Sequence, residues 1–229
     1  MTKRRKWTAI PGLILLAVGA VVLSAYSGAS SSQNNSPVQP IAFPHPTHVQ
    51  KLGMNCLYCH NAANKSMDPG LPAVSTCVGC HSMVGPTRPA SDLGPARTSA
   101  EIQKLWNYAD IKIPGSPVGP NAKPIPWVRI HKLPEYVHFP HTRHVNAGVT
   151  CQTCHGQIQK MDRVYQYASL NMGWCVSCHV NGYSPKEGQE AAGYQPLQAT
   201  AGQGVAPAVA QYASTERKKA RYDCANCHY

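Results

Sequence analysis

Five copies of the pattern CxxCH contain all ten cysteines of this 229-residue chain. They occupy residues 56–60, 77–81, 151–155, 175–179 and 224–228. Two thiols three residues apart lie on one side of a helical turn, and the His that follows is carried beneath whatever group they hold. Such a pair can add to the two vinyl groups of a haem while the imidazole binds its iron. The chain is therefore predicted to carry five covalently bound c-type haems.

Each run supplies two attachment thiols and one proximal iron ligand. The predicted attachment residues are Cys56, Cys59, Cys77, Cys80, Cys151, Cys154, Cys175, Cys178, Cys224 and Cys227. The predicted proximal ligands are His60, His81, His155, His179 and His228. A disulfide scaffold would not place a His after every second Cys, and zinc sites built from paired CxxC units would leave one of the five unpaired. Both alternatives are weaker than haem attachment.

A second pattern, FPHxxH, precedes the first and third CxxCH runs. It contains Phe43, His45 and His48 in the first copy, and the chain's only other Phe, Phe139, starts the second copy. The recurrence of FPHxxH followed by CxxCH is an internal repeat. We predict a dihaem module at residues 41–89 and a trihaem module at residues 127–229, separated by a spacer at residues 90–126.

Six His remain after the five proximal ligands are set aside, and five irons need a second ligand. This surplus favours six-coordinate, bis-His, low-spin haems that transfer electrons without binding a substrate. His residues at i and i+3 diverge by about 60° around a helix, so each FPHxxH pair would serve two haems. The predicted distal ligands are His45, His48, His131, His141 and His144. His138 and Met172 are the alternatives, and no residue is predicted to be catalytic.

The composition predicts a mainly α and irregular fold with little sheet. Two Phe and four Trp provide little large apolar material, while 20 Pro and 18 Gly favour loops. The haems would form most of the core, so the chain without haem should fold poorly. Within the spacer, residues 98–108 read as a short capped helix and residues 113–126 as an extended segment. Residues 185–209 read as a surface loop and residues 214–226 as a final helix.

The N-terminal residues 1–30 combine a basic start with an uncharged apolar run at residues 8–26. The run is just long enough to span a bilayer, which favours a retained anchor over a cleaved signal. Residues 31–40 read as a polar tether. The basic end would stay in the cytoplasm and the cysteines would be exported. The formal net charge of +11 includes this basic start and would be offset by about ten haem propionates, so a nucleic-acid partner is not expected.

The chain resembles the pentahaem cytochrome c subunit of alternative complex III, a membrane quinol oxidoreductase. The resemblance rests on PIPWVRIHKLPEYVHFPHTRHVNAGVTCQTCHG, on MGWCVSCH, on the single N-terminal anchor and on the five-haem count. Its FPHxxH and CxxCH repeat also resembles the wider class III multihaem cytochromes. The likeness covers residues 41–180 and leaves residues 181–222 uncovered. The five CxxCH runs and the FPHxxH histidines correspond, and His131 falls within the matching WVRIHKLP run.

The resemblance implies an electron-transfer subunit that is not catalytic alone. Its implied partners are an iron–sulfur, molybdoenzyme-like subunit and polytopic quinol-binding subunits in the bacterial cytoplasmic membrane. The implied acceptor is an exported cytochrome c or a terminal oxidase, with the haem domain on the periplasmic face. Three alternatives remain: a quinol dehydrogenase of the tetrahaem nitrate/nitrite-reductase type, a pentahaem subunit of another molybdoenzyme-type complex, and a multihaem reductase. The surplus of His argues against the reductase, which would need an open iron.

Overall fold

The computed structural model describes residues 4–26, 32–90, 96–184 and 216–228, with the side chains of the first helix described for residues 10–23. Short helices joined by irregular segments make up most of these residues. The α-helices are α1 (Arg4–Tyr26), α2 (Cys56–Cys59), α3 (Val74–His81), α4 (Ala100–Ala109), α5 (His141–Asn146), α6 (Cys151–His155) and α7 (Met172–Asn181). A π-helix spans Pro46–Lys51, and 3-10 helices span Ile158–Lys160 and Cys224–Asn226. The predicted mainly helical and irregular class is confirmed.

The first helix, α1, coincides with the predicted anchor. Its described apolar side chains are exposed, from Val22 at 49% to Leu16 at 73%. Among the residues that the structure describes, however, no helix is long and apolar enough to cross a membrane. The membrane anchor therefore stays a prediction.

Every CxxCH run lies on a helical turn, as the spacing predicts. Helices α2 and α6 begin at the first Cys of their runs, whereas α3 and α7 begin three residues before it. Asparagine caps fix two of these starts. The Asn55 side chain accepts a hydrogen bond from the backbone N–H of Leu57, and that of Asn171 accepts one from Trp174. These caps satisfy N–H groups that the first turn leaves without helical partners.

The spacer helix α4 packs on α3, the helix of the second CxxCH run. Ser99 caps it by accepting a hydrogen bond from the N–H of Ile102, and Asp110 ends it in the left-handed conformation. Trp106 donates its indole N–H to the carbonyl oxygen of His81 at 2.7 Å, so α4 is joined directly to the second CxxCH run. The prediction of a short capped helix here is confirmed.

The apolar core is concentrated before residue 126. One cluster consists of Val78, Trp106, Ala109 and Ile111, and a second consists of Ile41, Leu105 and Ile125. In the described residues after 126, the buried hydrophobic side chains are Met161 and Ala168. The second module thus has very little apolar core of its own.

The small amount of sheet that was predicted is also confirmed. A two-stranded antiparallel sheet pairs β1 (Thr87–Arg88) with β2 (Arg97–Thr98), and residues 113–126 are irregular. Of the predicted final helix at residues 214–226, only the 3-10 helix Cys224–Asn226 is helical in the described part. Residues 216–223 are not helical, because Lys218 exchanges two backbone hydrogen bonds with Tyr183 and so lies extended beside it. The predicted surface loop at residues 185–209 lies outside the described residues.

Candidate haem-attachment sites

The two FPHxxH segments fold into the same aromatic cluster. Phe43 stacks on the His48 ring with 4.3 Å between centroids and meets His45 edge-on at 5.0 Å. In the second copy, Phe139 stacks on His144 at 4.3 Å and meets His141 edge-on at 4.9 Å. Each Phe therefore fixes the orientation of both imidazoles of its repeat. The sequence repeat is a structural repeat at the level of side chains.

A glycine turn separates each His segment from its CxxCH run. Gly53 has a φ of 66° and its counterpart Gly148 has a φ of 87°. Residues that have a side chain rarely adopt this left-handed backbone conformation, whereas glycine does so without steric cost. The turn brings each CxxCH helix back toward the histidines that precede it.

Three pairs of imidazoles face one another at the spacing that a shared iron requires. The ring centroids are 6.1 Å apart for His48 and His81 and 6.0 Å apart for His144 and His179. A third pair, which joins His141 and His155, has a separation of 6.4 Å. Two imidazoles on opposite faces of one metal, each with a bond of about 2 Å, leave roughly 6 Å between ring centres. These distances fit bis-His ligation of the second, third and fourth haems.

Hydrogen bonds orient both members of two of these pairs. The Nδ1 atoms of His48 and His81 lie 3.1 and 3.0 Å from the carbonyl oxygens of Pro44 and Val84. The second repeat has the same arrangement in two hydrogen bonds: His144 to Pro140 at 3.1 Å and His179 to Arg221 at 2.6 Å. A carbonyl can only accept, so each Nδ1 carries the proton and donates it. The Nε2 atom is then left as the metal ligand.

Burial keeps six of the histidines at these sites in the neutral imidazole form, which is the form that binds metals. It lowers the pKa of His45 to about 4 and that of His155 to about 3, with smaller contributions from nearby imidazoles. The pKa shifts in the same direction, again chiefly through burial, at His60, His131, His141 and His144. Neutral imidazole is the metal-binding form of His.

Several buried ring nitrogens have no hydrogen-bond partner. They are Nδ1 of His45, Nδ1 of His141 and Nε2 of His131. A buried polar atom without a hydrogen bond costs free energy, and binding of an ion or ligand would offset that cost. Together with the facing imidazoles, these atoms show that the residues present fit c-type haem.

The first and fifth motifs are arranged less symmetrically. At the first motif, the His45 and His60 imidazoles are close enough to interact electrostatically. At the fifth motif, the Tyr136 ring stacks on His228 with 5.7 Å between centroids, and the His138 backbone N–H donates to the Cys227 carbonyl oxygen. His131 instead meets His155 edge-on at 4.3 Å. The structure thus brings His131 to the third motif, where His141 already lies. Its role as a distal ligand stays a prediction.

The alternative ligand Met172 is the first residue of α7 and is 69% exposed. The proximal ligand of its helix, His179, already faces His144. This geometry favours bis-His ligation at the fourth motif.

Sequence reasoning did not identify Tyr136 or the orienting carbonyls. Tyr136 stands two residues from the alternative ligand His138, but a single Tyr carries no pattern. The carbonyls had a recognisable signal, because Pro44 and Pro140 are the central residues of the two FPH segments. In both repeats the proline carbonyl accepts from the His four residues later.

All ten cysteines lie within the described residues, and none of them forms a disulfide. The Cys56 and Cys151 thiols interact with each other, which lowers the pKa of Cys56 to about 7 and raises that of Cys151. Burial raises the pKa of Cys154 to about 12. In the described ranges, no group of three or more His, Cys, Asp or Glu is arranged to hold a metal ion.

CxxCH helices with facing, hydrogen-bonded histidines are the features expected at the haem sites of a multihaem cytochrome c. The chain is 28% identical, over 163 residues, to the multihaem cytochrome c subunit of menaquinone reductase from Nitratidesulfovibrio vulgaris (strain Hildenborough). The alignment covers 62% of this chain and 68% of that protein. No protein-family model matches the chain. The similarity indicates distant homology to a multihaem cytochrome c subunit.

Proposed function

We propose that the chain is a membrane-anchored pentahaem cytochrome c that relays electrons between a quinone-coupled respiratory complex and an exported redox partner. The observation that carries this proposal is the set of three facing imidazole pairs at 6.0–6.4 Å, each with one member from a CxxCH run. Haem iron supplies one-electron transfer at such sites. A pair of protein ligands on each iron leaves no position for a substrate, which favours electron transfer over catalysis.

The side chains of the chain have distinct roles in this proposal. The ten cysteines attach the cofactors, and the five CxxCH histidines are the proximal ligands. His45, His48, His141 and His144 are the distal ligands at the first, second, third and fourth motifs, and His131 is the remaining distal ligand. Phe43 and Phe139 hold these imidazoles in place by stacking. The modules at residues 41–89 and 127–229, with the spacer between them, are part of the proposal.

Quinone chemistry is assigned to partner subunits. A quinone site needs an enclosing pocket and groups that exchange protons at membrane depth. The apolar run at residues 8–26 contains no Asp, Glu, His or Lys, and the first carboxylate of the chain is Asp68, beyond the first haem motif. The chain is therefore proposed to be a subunit of a complex with polytopic quinone-binding and iron–sulfur, molybdoenzyme-like partners.

The direction of electron flow distinguishes two candidate functions. The sequence resemblance implies electrons leaving a quinol for an exported cytochrome c or a terminal oxidase. The relative with 28% identity is named a menaquinone reductase, which favours flow from the cytochrome toward the quinone as the second candidate. Both use the same relay in this chain.

The function is tested by comparing the complex with the isolated chain. The complex is purified from native membranes, and menaquinol is added anaerobically to its oxidised haems. Reduction within the complex, with no reduction of the isolated chain, is the expected result, because the chain lacks a quinone site. In the reverse experiment, menaquinone is added to the dithionite-reduced complex. Haem oxidation there, without reduction by menaquinol, would support the second candidate.

Two outcomes would contradict the proposal. Quinol oxidation by the isolated chain, sensitive to a quinone-site inhibitor, would indicate a quinol dehydrogenase instead. Purification of the chain from native membranes without any membrane subunit would contradict the proposed complex. N-terminal sequencing of the same sample tests the anchor, since a mature start near Ala29 would show that α1 is a cleaved signal.

A further inference from the structure

The two repeats contact each other through their first CxxCH motifs. The Cys151 thiol of the second repeat lies close enough to the Cys56 thiol of the first for each to shift the pKa of the other. The segment after the first motif continues this contact. The backbone N–H of His141 donates to the Met67 carbonyl oxygen at 3.2 Å, and the Asn146 side chain donates to the Asn64 carbonyl at 3.2 Å.

The reverse contact is also present. The 3-10 helix Ile158–Lys160, which follows the third motif, packs against the π-helix Pro46–Lys51 of the first repeat. Each repeat thus places the segment after its first CxxCH run on the His helix of the other. Reciprocal contact between equivalent surfaces is the property of a two-fold arrangement. The first and third motifs are therefore neighbours at the centre of a local two-fold arrangement.

The second and fourth motifs lie on the outer side of their repeats. His48 and His144, the second His of each FPHxxH segment, face His81 and His179. The cysteine thiols are close to one another in the same pattern. Cys59 interacts electrostatically with Cys77 and Cys80, and Cys154 does so with Cys175 and Cys178. The second motif is thus beside the first, and the fourth is beside the third.

The fifth motif is joined to the fourth. The His179 ring donates to the Arg221 carbonyl oxygen at 2.6 Å, and the Ala220 backbone N–H donates to the His179 carbonyl at 3.1 Å. Burial raises the pKa of the Cys175 thiol, and the nearby Cys227 thiol raises it further. The chain that leads into the fifth motif therefore lies along the fourth.

We infer that the five haem positions follow the spatial order second, first, third, fourth, fifth, so the relay does not follow chain order. This inference rests on the proposed function. Exposure of the thiols supports it independently. Cys80 and Cys224 are the two exposed cysteines among the ten, and they belong to the second and fifth motifs, which are the two ends of this order.

The order determines where external partners exchange electrons. One partner docks near the second motif and the other near the fifth, while the first motif is interior although it is nearest to the anchor in sequence. Each transfer moves one electron, oxidising one site and reducing its neighbour. Loss of the first or third site would divide the relay, whereas loss of the second or fifth would remove one end.

The test is an electron-microscopy structure of the holoprotein within its native complex, with the five irons traced to their CxxCH runs. The iron bound by His60 is expected to have the irons of His81 and His155 as its two nearest neighbours, and the iron of His228 should be nearest to that of His179. Direct adjacency of the His81 iron to that of His155 or His179 would overturn the order. The haem content of the same sample is measured separately, so a sample without five haems refutes the proposed stoichiometry while its remaining irons still test the order.

Discussion

Replacing His144 by Ala is expected to convert one haem of the purified protein from six-coordinate low spin to five-coordinate high spin. The His144 ring faces His179 at 6.0 Å and is oriented by the Pro140 carbonyl, so its removal opens one face of a single iron. His48→Ala should have the same effect at the second haem, because His48 occupies the equivalent position in the first repeat. The visible and electron paramagnetic resonance spectra of the oxidised protein measure the change.

Two variants serve as controls for these substitutions. His138→Ala should leave all haems low spin, because His138 is not among the five predicted distal ligands. His144→Met should restore six-coordination and raise the midpoint potential of that haem, since thioether ligation favours the reduced state. Spectra of His48→Ala and His144→Ala that remain fully low spin would show that the facing pairs are not ligand pairs.

A chain produced without haem attachment is expected to lose the structure of its second module. Burying one large apolar side chain contributes about 1.5–3 kcal/mol, whereas ordering each residue costs about 1–2 kcal/mol. Among the described residues after 126, only Met161 and Ala168 are buried hydrophobics. The macrocycles must therefore provide most of the apolar contact there. Amide hydrogen exchange should show little protection in residues 127–184 of the haem-free chain.

Residues 41–126 provide the internal comparison for this experiment. They contain both apolar clusters, including Trp106 and Leu105 of α4, so they should retain more protection than the second module when haem is absent. The holoprotein, measured under the same conditions, should be protected in both regions. Strong protection of residues 127–184 in the haem-free chain would mean that polypeptide contacts alone form this module.

The local features of the sites could be predicted from sequence because each depends on a few neighbouring residues. CxxCH spacing places two thiols on a helical turn, and all five runs adopt one. The capped helix α4 follows from Ser99 and its amphipathic pattern. The i, i+3 spacing of His45 and His48 also predicted that they serve different haems, and His48 does face the second motif.

The partners of the fifth motif could not be predicted in this way. They depend on contacts across long sequence separations, such as Tyr136 with His228, which no local pattern specifies. The final helix was wrong for the same reason. Residues 216–223 contain good helix formers, but pairing between Lys218 and Tyr183 outweighs that local preference. The spatial order of the motifs likewise comes from a contact between repeats.

The intact mass of the protein purified from its native membrane tests the central claim most directly. We expect a mass that exceeds the mass of the polypeptide by that of five haems, because all ten cysteines fall in five CxxCH runs. The increase should survive denaturation, since the thioether bonds are covalent. A mass corresponding to four or fewer covalent haems would contradict the pentahaem assignment, and a mass with no covalent haem would contradict the account as a whole.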